Sequence, residues 1–469
     1  MQKINYLLFL LCMPLLGYSQ TELASFFSDH MVLQQNENVS IWGTENPKKK
    51  ITITSSWGET VSTKTDKNGE WNVKLKTPAA GGPYSIEING SETLLLNDVM
   101  IGEVWLCSGQ SNMEMPVKGF KNQPVNGSQD AILNGNNKNI RVFSVARNQS
   151  LKPIKNVEGN WKVASSKTVG DFSATAYFFG NQIQQTINVP VGLIVTSWGG
   201  SRAEAWTDEA TLKAFKSAKI PTEIPEKSIQ HTPTLLYNAM LHPIVGYTLK
   251  GAIWYQGESN KNQASEYQDL ITSMVTSWRK QWNQGDFPFY FVQIAPYIYN
   301  KNVNSAFLRE AQLHTLNSLK NSGMAVTLDI GNKTYIHPAE KKKVGERLAY
   351  WALAKDYNVP GIEYSGPVFD TMNIDGAIAT ITFKNTPNGI SSFGKEVTGF
   401  EVAGDDKIFH PAKATIIRKG YTNGAVTIES EKVKNPVAVR YNFKNFVEAS
   451  IFSTAELPAS SFRTDNWSE

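Results

Sequence analysis

Cysteine is nearly absent: the 469 residues contain two, Cys12 and Cys107. Cys12 lies in an apolar stretch, residues 6–16, that follows Lys3 and precedes Gly17 and Ser19. That is the pattern of a secretory leader. Residues 1–20 are therefore expected to be cleaved, which leaves Cys107 alone and excludes an intrachain disulfide. With no second cysteine nearby, Cys107 is read as a small buried hydrophobe and not as a nucleophile or metal ligand. The leader run is also shorter than the about 20 apolar residues a membrane span requires. No stable membrane insertion is expected after cleavage, and the destination is expected to be periplasmic or extracellular. Net charge is slight, at +4, which gives no electrostatic reason to invoke nucleic acid. Histidine is scarce as well: six in the whole chain leave few candidates for a general base.

What is present divides the chain into β-rich ends around an α/β centre. Residues 21–97 alternate in short runs such as VSIWG (39–43) and ITIT (51–54), separated by turn formers at Asn46-Pro47, Asn68-Gly69 and Gly82-Pro83. Closely spaced short strands of this kind predict a small sandwich or jelly roll. Across residues 98–358, apolar runs at 189–195, 252–254, 287–294 and 324–328 each lead into a turn. Helical patterns lie between them. Tyr267, Leu270, Ile271, Met274, Val275, Trp278 and Trp282 mark one helix face, and Val344, Leu348 and Trp351 another. Strand, turn and helix repeated in this way predict a parallel sheet covered on both faces. Short strands return over residues 359–469, where Ala377, Ala379, Ile381 and Phe383 alternate.

The stretch NDVMIGEVWLCSGQSNMEMP (97–116) reads as a buried strand stopped by turn formers, with Ser111 at its carboxyl end. In open α/β sheets that end faces a crevice where ligands and catalytic groups gather. Gly109 two residues before Ser111 matches the first half of the nucleophile elbow, while Met113 stands where the trailing glycine belongs. The same placement puts Gly200, Gln256 and Asp329 near that sheet edge.

Four blocks in order, GEVWLCSGQSNMEMPV (102–117), SWGGSRAEAW (197–206), WYQGESN (254–260) and IHPAEKKKVGERLA (336–349), resemble the sialate O-acetylesterase family of SGNH hydrolases. The resemblance extends to SDHMVLQQ (28–35) and ELPASSFRTDNW (456–467). It implies an SGNH-type α/β domain flanked by β-rich regions, a serine esterase that needs neither metal nor organic cofactor, and an O-acetylated glycan as substrate.

Among the histidines, His30 and His410 fall in the β-rich ends, His314 in a helical pattern, and His231 without strong context. His242 is the runner-up, set among apolar neighbours. His337 precedes Pro338, a favoured first helical residue, and the family's histidine occupies the same I-H-P motif. Ser111 and His337 are thus the expected nucleophile and base. From the family blocks, the oxyanion donors are the Ser111 and Gly200 backbone N–H groups and the Gln256 side-chain amide, with Asn260 the competing amide. Ser201 is a second candidate nucleophile, and Arg202, Glu258 and Asn260 are candidate substrate contacts. The chain departs from the family at Tyr335, where D-I-H-P would have an aspartate; Asp329 is the candidate substitute for the orienting acid, a backbone carbonyl the alternative. The expected function is an exported carbohydrate O-acetylesterase. A glycosidase using Glu258 and Asp329, or a noncatalytic glycan-binding protein of the same fold, are the competing readings.

Overall fold

A computed structural model describes residues 21–299, 302–417 and 424–467. The expected leader, residues 1–20, lies outside the described residues. The central sheet is built on β1 (Thr93–Gly109), β2 (Asn137–Ser144), β3 (Trp161–Ala164), β4 (Val191–Ser197), β5 (Gly251–Tyr255), β6 (Phe289–Val292) and β7 (Ser322–Ala325). Its order is β3-β2-β4-β1-β5-β6-β7. All neighbours pair in parallel except the edge strand β3, which runs antiparallel to β2.

Parallel strands buried on both faces need apolar side chains at every position, and β1 supplies them in alternation. Val104 and Leu106 join one core, with Ile194, Trp254, Phe289 and Phe291 of neighbouring strands. Trp105 and Cys107 point the other way into a second core, with Leu193, Val195, Ile253, Tyr290 and Val292. Five helices matter here: α1 (Ser111–Glu114), α2 (Ala174–Ile187), α3 (Ala264–Trp282), α4 (Ala306–Ser318) and α5 (Lys341–Lys355). The expected apolar stripe of α3 is buried in the first core. Phe179 and Ile183 of α2 and Val344, Leu348 and Trp351 of α5 fill the second. Helices therefore cover both faces, as an SGNH-like sheet requires. Among the described residues no helix is long and apolar enough to cross a membrane.

The ends are antiparallel β. β1 itself is shared: residues 93–101 pair with the strand Gly81–Asn89 of the N-terminal region, and the same strand then continues into the central sheet. It passes unbroken across the expected border at 97/98. The C-terminal region holds two four-stranded antiparallel sheets. It is fastened to α4 by Arg309, fully buried, which donates to the carbonyls of Asn442 and Lys444 and to Ser461 Oγ. Burial holds that guanidinium below its usual value, at about 10.

Candidate active site

The site assembles where β1, β4 and β5 end. Gly109 closes β1 at φ +141°, and a Cβ there would lie 2.2 Å from the Tyr255 carbonyl oxygen. Only glycine fits so close to the neighbouring strand. The chain then turns into α1 with Ser111 as its first residue, held by Gln110 N–H donating to Tyr255 O at 2.9 Å. Ser111 is partly exposed.

His337 reaches this serine from the loop before α5. Its Nε2 lies 2.8 Å from Ser111 Oγ, across 226 residues of chain. Its Nδ1 lies 2.5 Å from Gln123 Oε1, on the loop that follows α1. The Phe120 ring meets the imidazole edge-on, with centroids 5.4 Å apart. Burial, and secondarily the Lys341 charge, push the imidazole down to about 4, so at neutral pH it is uncharged and has a lone pair free to accept a proton.

The expected orienting acid is not there. Asp329 makes a bidentate ion pair with Arg347, both contacts 2.7 Å, and Arg347 also donates to Val326 O. No bond from Asp329 to His337 is formed, because an adjacent guanidinium fork is the stronger partner for a carboxylate. Tyr335, where the sequence reading expected an aspartate, is 44% exposed and bonded through its backbone N–H to Asn332.

The oxyanion donors need a similar correction. The Ser111 and Gly200 N–H groups have no hydrogen-bond partner among the described residues, and the serine and the glycine pair are adjacent: a Cβ on Gly199 would stand 3.5 Å from Ser111 Cβ. Gln256, by contrast, is fully buried, and its Nε2 donates to Ser201 O at 3.1 Å and Asn260 Oδ1 at 2.7 Å. Both amide hydrogens are spent bracing the 199–203 turn, so Gln256 is not a free donor. Asn260 is in the same position: Nδ2 donates to Glu204 and Gln263, and Oδ1 accepts from Ala203 N–H. At 1% exposure it is no substrate contact either. Ser201, fully buried, accepts from Trp206 Nε1 and donates to Gly109 O, which removes it as a nucleophile. His242 is bonded to Ile154 O and packed on Tyr237. Arg202 is partly exposed, with its Nε buried and unpartnered.

Four residues missed in the sequence, Glu114, Asn112, Lys341 and Gln123, hold this arrangement. Glu114 accepts from the Gly199 N–H at 2.8 Å and from Arg147, whose guanidinium lies over Trp198. That ties the glycine turn to the serine's own helix. Asn112, fully buried beside the nucleophile, donates to Glu258 Oε1 at 2.5 Å and Ile336 O at 3.2 Å, and accepts from Lys341 Nζ at 2.5 Å. Glu258, 4% exposed, is thus a structural anchor beneath the site and not a substrate contact. Burial pushes Glu258 up and Lys341 down to about 7, both toward their neutral forms. Glu114, Asn112 and Lys341 all lie inside the four motif blocks, where they read as flanking residues; Gln123 lies in none. Asp329 is held by Arg347 and one oxygen of Glu258 by Asn112, while Glu258 Oε2 is buried without a partner, an arrangement that does not favour these two as the carboxylate pair of a glycosidase. Among the described residues, no three His, Cys, Asp or Glu side chains are grouped to hold a metal ion.

With a serine hydroxyl on a histidine at the end of a parallel sheet, the comparison with known proteins becomes decisive. Residues 101–354 match the model of the SASA family, described as carbohydrate esterase, sialic acid-specific acetylesterase. The chain belongs to this family of carbohydrate esterases. Human sialate O-acetylesterase is 31% identical over 388 residues, covering 74% of this chain and 73% of its own length. The mouse sialate O-acetylesterase is 30% identical over 410 residues, covering 74% and 75%. The solved structure of a carbohydrate acetylesterase from Xanthomonas citri shares 36% identity and superposes with a TM-score of 0.87, over 96% of this chain and 100% of its own.

Proposed function

We propose that the protein hydrolyses acetyl esters on carbohydrates through an acetyl-enzyme on Ser111. The observation that carries this reading is the 2.8 Å contact between Ser111 Oγ and His337 Nε2. His337 takes the hydroxyl proton as Oγ attacks the acetyl carbon. Negative charge then gathers on the former carbonyl oxygen, against the unpartnered N–H groups of Ser111 and Gly200; such donors each lower a barrier by about 3 kcal/mol. The tetrahedral intermediate collapses, the sugar oxygen leaves with the proton held at Nε2, and the acetyl group stays on Ser111. Water repeats the sequence, giving up its proton to the same nitrogen and releasing acetate.

The leader pattern of residues 1–20 supports action after export, on glycans outside the cytoplasm. Relatives named for sialate and, more broadly, for carbohydrate acetyl esters support an O-acetylated sugar as substrate, with the acetyl group the common element. Acetate release from nitrophenyl acetate and from a panel of acetylated sialosides and neutral glycans tests this. The parent is expected to turn over and Ser111→Ala to lose at least about 10³-fold in kcat. Unchanged turnover in Ser111→Ala rejects the mechanism, and an inert parent on every acetylated sugar favours glycan binding without catalysis.

A further inference from the structure

We propose that Gln123 is the residue that positions His337 for catalysis, a neutral amide carbonyl occupying the place of the orienting acid. The inference rests on the acetyl-enzyme reading and adds to it a third, uncharged member. Gln123 Oε1 is 2.5 Å from His337 Nδ1. An amide oxygen only accepts, so it selects the tautomer with hydrogen on Nδ1. The lone pair on Nε2 is then aimed at Ser111 Oγ, 2.8 Å away. Without that lock, productive orientation is lost to the other tautomer and to ring rotation.

The loop is built to present this amide. Gln123 N–H donates to Phe120 O at 3.0 Å, closing a tight turn in which Asn122 has φ of +61°, directly after Gly119 at φ +83°. A Cβ on Gly119 would lie 2.4 Å from Gln123 O, so only glycine lets the turn close. One turn therefore brings two contacts to the imidazole together, Gln123 on Nδ1 and the Phe120 ring beside it. The two alternative acids are engaged elsewhere or missing, Asp329 on Arg347 and position 335 an exposed tyrosine.

The charged groups around the imidazole are Lys341, in the first turn of α5, and Glu258, joined to it through Asn112. Glu340 is bonded to Asn126, and Glu114 to Arg147 and Gly199. None is an anion on Nδ1, so nothing offsets burial and Lys341 in holding the imidazole down at about 4. A carboxylate placed at residue 123 favours the imidazolium and moves that value upward.

The test compares Gln123→Met, which keeps length and removes the acceptor, with Gln123→Glu, which keeps the acceptor and adds charge. Folding is checked by circular dichroism, and kcat and KM are measured on nitrophenyl acetate from pH 4 to pH 8. Gln123→Met is expected to lose about tenfold to 10²-fold in kcat with KM within about twofold. Gln123→Glu is expected to retain or exceed parental kcat at neutral pH while the acid limb of kcat/KM moves up by about one pH unit. A merely structural glutamine leaves that limb in place. Folded Gln123→Met with parental kcat, or Gln123→Glu with an unmoved limb, overturns the proposal. Ser111→Ala run alongside separates the two claims: its activity sinks the acetyl-enzyme, whereas an inert Ser111→Ala beside a fully active Gln123→Met sinks only the role of Gln123.

Discussion

At the scale of single residues, the outcome turned on partners that a linear reading does not show. Asp329 sits in the turn that follows β7, on the side of the sheet where a catalytic acid belongs, yet Arg347 takes both its oxygens at 2.7 Å. The pair is only 12% and 7% exposed. Breaking such a pair leaves an unpaired buried charge and costs about 3 kcal/mol or more. Asp329→Ala is therefore expected to lower unfolding stability in urea by about that much, while turnover by the folded enzyme changes less than about threefold, far from the loss that removal of an orienting acid brings. A fall in turnover of about 10²-fold or more with unchanged stability would return Asp329 to the catalytic set. Ser111 and His337 were legible because each lies in a motif with a mechanism attached. Gln123 was not, since one glutamine in a polar loop carries no chemical signature until the turn brings it to the imidazole.

At the scale of elements, the strand and helix pattern was legible where side-chain period and burial agree. Tyr267, Leu270, Ile271, Met274, Val275, Trp278 and Trp282 are all buried on α3, and the alternating residues of β1 divide cleanly between two cores. What the pattern could not give is how elements are fastened at the site. Asn112 of α1 joins the turn after β5, through Glu258, to the loop and helix around His337, through Ile336 and Lys341. Removing one partner from buried hydrogen bonds leaves the other groups unsatisfied, at a cost of about 1–3 kcal/mol each. Asn112→Ala is accordingly expected to destabilise by about 3 kcal/mol and to lower kcat at least about tenfold, through a displaced loop rather than a missing reactive group. Chemical denaturation and kinetics read both; a variant with parental stability and kcat would show that the clamp does not hold the site.

For the whole molecule, four ordered motifs foretold the central fold and its family, because three mark strand ends at one edge of a parallel sheet and the fourth marks the loop into α5 that carries His337 to them. The border of the N-terminal region was less legible: β1 carries polar and apolar residues through 93–98 as a surface hairpin strand does, then enters the central sheet without a break. The nucleophile thus stands at the tip of a strand that the N-terminal region also pairs with, and the turns that brace it come from β4 and β5. The claim on which everything else depends is that these distant segments make Ser111 the nucleophile. Its most direct test is rapid quenching of the enzyme during turnover of an acetyl ester, followed by mass spectrometry of its peptides. An acetyl adduct on the peptide carrying Ser111, forming and decaying at rates compatible with kcat, is the predicted result; turnover with no adduct on Ser111, or with the acetyl group carried by another residue, would contradict it.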